Sequence, residues 1–135
     1  HGINNNPSSQ QLANMKAVAQ GMEKIRKLLG NNAIKITSWL RVPKLNQMIG
    51  GSKTSAHCDG YAIDFTCSNF GSIYDICNKI SSSDLKYDQL IFEYGNSGWV
   101  HISFDPKMRR QDLTILNSSK IYKLGILTRE QYEQV

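Results

Sequence analysis

Residues 87–104 read YDQLIFEYGNSGWVHISF. Two runs rich in aromatic and β-branched residues flank the polar, glycine-bearing segment 95–98. That is the pattern of strand, turn, strand, and it commits the chain to an antiparallel hairpin. Asn96-Ser97-Gly98 suits a three-residue loop, a type I turn followed by Gly98 in the left-handed conformation. This register sets Gly95 opposite Trp99, Tyr94 opposite Val100 and Glu93 opposite His101. Directly opposed residues share a sheet face, with Cβ atoms roughly 5 Å apart. A four-residue loop would instead send Glu93 and His101 to opposite faces.

Outward from the hairpin, GYAIDFTC (60–67) alternates with period two. Gly60, Ala62 and Asp64 then share one face, and Tyr61, Ile63 and Phe65 share the other, the core side. Residues 71–82 carry Ile73, Ile76, Cys77 and Ile80 at helical spacing. AIKITS (33–38) is a further strand. A long helix starts at Ser8 or Ser9 as N-cap. It runs through Leu12, Met15, Ala19, Met22, Ile25 and Leu29 and stops at Gly30. RVPKLNQMIGG (41–51) predicts a short helix with Pro43 in its first turn and Gly50-Gly51 at its end. The polar SKTSAH (52–57) follows as a loop. Beyond Asp105 the pattern weakens, and only LTREQYEQV (127–135) reads as a last short helix. The class is α+β, a small, mostly antiparallel sheet with helices packed on it. Residues 1–135 are read as one domain.

Composition excludes several classes. With 40% hydrophobic and 20% charged residues in 135, the chain is neither disordered nor fibrous. Its net charge of +5 fits either attraction to anionic partners or plain solubility. No basic run is interleaved with aromatics, so no dedicated nucleic-acid groove is expected. The three cysteines form no CxxC pair and make a poor disulfide framework. Cys67 and Cys77 read as core residues. Cys58, next to His57, reads as structural or as a stray metal ligand. No stretch approaches a membrane span. The chain begins at His1, which is given no role, and shows no signal peptide. The expectation is therefore synthesis in the cytoplasm, with a monomer as the default assembly.

Two histidines lie beyond the N-terminus, His57 and His101. Asp64 follows the first by seven residues and interrupts an apolar strand between Ile63 and Phe65. A carboxylate in such a place needs a partner. A cation is one, and a salt bridge to a Lys or Arg is the other. Gly60 and Ala62 on its strand face would clear space beside it. Two imidazoles and one carboxylate suit zinc, which in catalytic sites keeps three protein ligands and one open position. Glu93, beside His101, is either the base that activates a water or a group that orients His101.

These residues resemble a known family. SAHCDGYAIDF (55–65) is similar to the S-x-H-x-x-G-x-A-x-D signature of the D-alanyl-D-alanine carboxypeptidase and dipeptidase group of zinc peptidases. QLIFEYGNSGWVHISF (89–104) resembles its second signature, a glutamate followed by W-V-H. ITSWLRVPKLNQMIGGSKTS (36–55) and GINNNPSSQQLANM (2–15) are similar to segments of phage members. The likeness covers roughly residues 2–105, which leaves 106–135 as a C-terminal extension of the same domain. It implies the fold shared with the hedgehog signalling domain and one zinc ion on His57, Asp64 and His101. It also implies Glu93 as catalytic base, Arg41 as a holder of the substrate's carboxylate or carbonyl, and Ser55 in the site lining. The implied activity is hydrolysis of the peptidoglycan stem peptide, by carboxypeptidase or endopeptidase action, in phage or prophage lysis at the cell wall. The chain departs from the pattern at Ala56, where many relatives have Gln, and at Trp39. It also has Gly98 where many dipeptidases place the glutamate, three residues before the last histidine; Glu93 stands eight before it.

Two other classes stand beside the enzyme. A zinc-stabilised binding or virion structural module would keep the metal without turnover. A basic nucleic-acid binder would show steeply salt-dependent affinity.

Overall fold

A computed structural model describes residues 4–41, 47–49, 55–116 and 121–135. The chain begins its regular structure where Ser8 closes a capping box with Gln11. Each satisfies a backbone N–H of the other's residue, which fixes the start of α1 (Ser9–Leu28). Gly30, at φ 75°, stops it. The buried stripe of α1 is Asn14, Val18, Met22 and Ile25, followed by Leu29. The predicted stripe is thus right at its C-terminal end and rotated at its start. Leu12 is exposed, and Asn14 goes inward because its amide donates to the Asp59 carbonyl at 2.8 Å.

The remaining elements are β1 (Lys35–Ser38), a 3-10 turn (Ala56–Asp59), β2 (Ala62–Thr66), α2 (Ile73–Ser81), β3 (Gln89–Glu93), β4 (Trp99–Ser103), β5 (Gln111–Ile115), β6 (Lys123–Leu124) and α3 (Arg129–Gln134). The strands form one sheet in the order β1-β2-β4-β3-β5-β6, antiparallel except for the β3–β5 pair. The α+β class is as the sequence indicates. Among the described residues no helix is long and apolar enough to cross a membrane. The short helix read at 41–51 lies mostly outside the described residues; Gln47 and Met48 of it are helical.

Period-two alternation divides the sheet into two chemically different faces. Ile63, Phe65, Leu90, Phe92, Val100 and Ile102 point to one face and form the main core with Val18, Ile25, Ile76 and Ile80 of the helices. Cys67 and Cys77 are buried there as free thiols. The other face carries Asp64, His101 and Glu93, with a small apolar patch of Ile91, Leu113 and Ile115 beside them. The helices cover the first face and leave the second for chemistry.

The hairpin differs from its predicted register. Glu93 pairs with Trp99, Phe92 with Val100 and Ile91 with His101. The loop is therefore 94–98, and the shift is two residues. A two-residue shift preserves the faces, so Glu93 and His101 stay on one side but as diagonal neighbours. Strand β5 is the cause. Tyr94 gives its N–H to the Ile115 carbonyl at 2.7 Å and leaves the β4 ladder early. The positive φ values fall on Tyr94 (62°) and Gly95 (78°), not on Gly98. Gly98 is needed for a different reason: a Cβ there would lie 1.8 Å from the Glu93 carbonyl oxygen. Gly98→Ala is expected to cost about 1–3 kcal/mol of stability, as overpacking does. It should also displace Glu93. A denaturant melt checks the first effect and a hydrolysis assay the second.

Candidate metal centre and cleft

Each side chain of the centre is placed by a different local device. His57 sits on the 3-10 turn, whose first N–H groups are capped by Ser55: the Ser55 hydroxyl accepts from His57 N at 3.2 Å. Helix α1 holds the far side of that turn. Gln11 donates to the Cys58 carbonyl and Asn14 to the Asp59 carbonyl, both at 2.8 Å. Gly60 closes the turn at φ 79°, and a Cβ there would meet Met15 and the Gln11 carbonyl. Gly60 therefore serves the turn and its contact with α1, and it does not clear space on Asp64's strand face. Asp64 and His101 come from the middle of adjacent strands and are direct register partners.

The three donors converge. His57 Nε2 and His101 Nδ1 each lie 3.1 Å from the same Asp64 oxygen, Oδ1. The ligand atoms all lie within 4.8 Å of one another, and all three residues are buried. His57 Nδ1 stands 2.7 Å from the Trp39 carbonyl and must donate to it. A neutral His57 then turns a bare nitrogen lone pair toward a carboxylate oxygen. Two acceptors facing each other need a cation between them, a proton on Nε2 in the metal-free protein or a metal ion in its place. Ligand atoms about 2.0–2.1 Å from a tetrahedral zinc stand about 3.3 Å apart, close to the two 3.1 Å spacings on Asp64 Oδ1. The donor set and its geometry therefore fit zinc. Among the described residues Cys58 contributes no atom to this group.

Trp39 is the residue that sequence reasoning missed as a support. Its carbonyl fixes the His57 tautomer, and its indole N–H donates to the Gly60 carbonyl at 3.1 Å. Trp39 thus grips the turn from both ends. No periodicity signals this, because the contact depends on where β1 lies against the turn.

Glu93 Oε1 is 3.6 Å from His101 Nδ1. Arg41 approaches Asp64 Oδ2 at 3.8 Å, and its Nε is buried with no hydrogen-bond partner among the described residues. Arg41, Ser55, Glu93 and the three donors line one cleft of about 640 Å³ that runs on past Ile91 and Gln89 to Asp88 and Arg109. At that far end Arg109 grips buried Asp88 with both arms of its guanidinium, at 2.8 and 2.9 Å.

The two carboxyl groups are tuned apart. Burial alone would raise the Asp64 pKa, but hydrogen bonds from His101 and His57 outweigh it and hold the carboxyl well below the usual range. Burial, with the Asp64 charge adding to it, pushes Glu93 up to about 7 in the metal-free protein, against the pull of His101 and Arg41. A folded pKa above the ordinary 4.5 means that folding disfavours the Glu93 carboxylate. The metal-free protein should therefore lose stability as pH rises from about 4.5 through about 7. Glu93→Gln removes that loss. With chelator present, the variant should melt higher than the parent at pH 8, by on the order of 2 kcal/mol, and show no gain near pH 4.

Three donors that could hold a metal converge over one sheet face, two from its strands and one from the 3-10 turn, with a protonatable carboxyl beside them in a cleft; that is the arrangement a metallohydrolase needs. The family model for peptidase M15 matches residues 1–103, and the chain belongs to that family of zinc peptidases. No curated protein matches it.

Proposed function

We propose that this protein hydrolyses an amide bond in the stem peptide of bacterial peptidoglycan, with one zinc ion on His57, Asp64 and His101. Cell-wall lysis in a phage or prophage setting is the role that fits best. The observation that carries the chemistry is the place of Glu93, a carboxyl 3.6 Å from His101 that lines the cleft beside the three donors without belonging to their group. A positioned carboxyl that does not hold the metal can carry the proton between water and leaving amine.

Zinc, when bound, would lower the pKa of a water and polarise a carbonyl. The chain's own residues would do the rest. Glu93 accepts the proton of the attacking water on its carboxylate. It then returns that proton to the amide nitrogen as the C–N bond breaks, which yields a free amine and a carboxylic acid. His57 is held in one tautomer by Trp39, so its Nε2 is always presented to the centre. Arg41 lines the cleft beside Asp64, and its guanidinium supplies donors to a substrate carbonyl or carboxylate. Ser55 lines the cleft and caps the His57 turn.

Purified peptidoglycan incubated with the protein and analysed by mass spectrometry tests this proposal. The expected result is new stem-peptide fragments that vanish with chelator and return with zinc. Loss of a terminal residue alone would mean carboxypeptidase action, and an internal cut endopeptidase action. Intact stem peptides in the presence of zinc would refute the proposal.

A further inference from the structure

The cleft has a wall that lies outside the family match. Tyr122 lines it, and it belongs to the segment after residue 103. Strand β6 sets its direction. Lys123 pairs with Thr114 and Leu124 with Leu113 in antiparallel register. The same register carries Tyr122 toward Ile115, which is itself the partner of Glu93. Trp99, Glu93, Ile115 and Tyr122 thus follow one another across the sheet, one strand to the next.

The two neighbours of Tyr122 are anchored on α3. The Tyr132 hydroxyl donates to the Ile121 carbonyl at 2.6 Å. The Lys123 ammonium donates to the Tyr132 and Val135 carbonyls and sits over the Tyr132 ring at 4.3 Å. Tyr132 is 3% exposed and belongs to the main core, so this brace is tied to the fold. Lys123 is thereby held on the helix side, and alternation turns Tyr122 to the cleft side. Its ring is half-exposed there, free to meet a ligand, and no hydrogen bond within the described residues uses its hydroxyl for the fold. Burial raises the phenol's pKa, with Glu93, Tyr94 and Asp64 near enough to add to the effect. The hydroxyl therefore stays protonated and able to donate at neutral pH.

We propose that Tyr122 is a substrate-binding residue of this cleft, its hydroxyl donating to a carbonyl or carboxylate oxygen of the bound peptide and its ring packing along the peptide chain. Tyr132 and Lys123 are the positioning residues that aim it. The inference rests on the cleft's being the peptide site proposed above. It gives the C-terminal segment, which lies outside the family match, a part in recognition.

The test uses full-length protein with zinc and a synthetic stem peptide. Steady-state constants are compared for the parent, Tyr122→Phe, Tyr122→Ala and Tyr132→Phe. Peptide affinity is measured by calorimetry in the Glu93→Gln background. A melting curve for each variant separates recognition from folding; Tyr122 is half-exposed, so its substitution should leave Tm nearly unchanged. Tyr122→Phe is expected to lower kcat/KM and affinity about tenfold, as loss of one hydrogen bond does. Tyr122→Ala should cost more, and Tyr132→Phe should raise KM with less effect on kcat. Unchanged affinity and kcat/KM in Tyr122→Phe would overturn the inference while leaving the peptidase reading intact. If the parent binds peptide but does not cleave it, the peptidase reading fails and Tyr122 is judged on affinity alone. If it neither binds nor cleaves, both fall.

Discussion

Glu93→Gln should lower turnover of a stem peptide by at least about a hundredfold, the lower end of what a positioned acid–base group contributes, while zinc uptake stays at the parent's level. The reason is positional. Glu93 is a diagonal neighbour of His101 and faces the centre, yet its carboxylate does not belong to the three-donor group. A glutamine keeps the shape and removes the proton carrier. The same substitution should raise the melting temperature of the metal-free protein at pH 8, because the buried carboxylate is costly to fold. Activity lost and stability gained by one substitution would mark a group kept for chemistry. A lesser role, orienting His101, would instead lower zinc affinity and spare part of the rate. Metal analysis and steady-state kinetics on one preparation separate the two.

Asp64→Ala should abolish hydrolysis and weaken zinc binding by more than about a hundredfold, since losing even an outer partner of a ligand costs 10–100-fold. Asp64 is the residue on which both imidazoles converge, through a single oxygen at 3.1 Å from each. Its removal leaves two buried rings without their shared partner. Competition with a chromophoric chelator measures the affinity. Retention of parent-like affinity would mean that the metal lies elsewhere.

Much of this was legible before the fold was known, and the reason differs from part to part. The alternation of residues 60–67 placed Asp64 on the face opposite Ile63 and Phe65, because a strand buried on one side leaves its period in the sequence. The capping residues of α1 and the spacing of Ile73, Ile76 and Ile80 in α2 are local signals of the same kind. The hairpin's register was not local. Tyr94 leaves the β4 ladder to bond Ile115, on a strand that pairs with β3 in parallel from beyond β4 in the chain, and such a long-range pairing is not written in the hairpin's own residues. The faces survived because the shift was even. Gly60 was misread and Asn14 passed over for a shared reason: each is fixed by the contact between α1 and the 3-10 turn, between segments some 45 residues apart. Trp39 and Tyr122 belong with them. Their places beside the site come from long-range neighbours that neither spacing nor composition records.

The converging donors, the Glu93 carboxyl beside them and the family all bear on the proposal that a single zinc on His57, Asp64 and His101 makes this chain a peptidase. The most direct measurement is a titration of the metal-free protein with zinc while release of stem-peptide fragments is followed. The expected curve starts at zero, rises linearly and breaks at one zinc per chain, and Asp64→Ala gives no rise. Hydrolysis by the metal-free protein, or tight uptake of one zinc with no hydrolysis at any ratio, would contradict it.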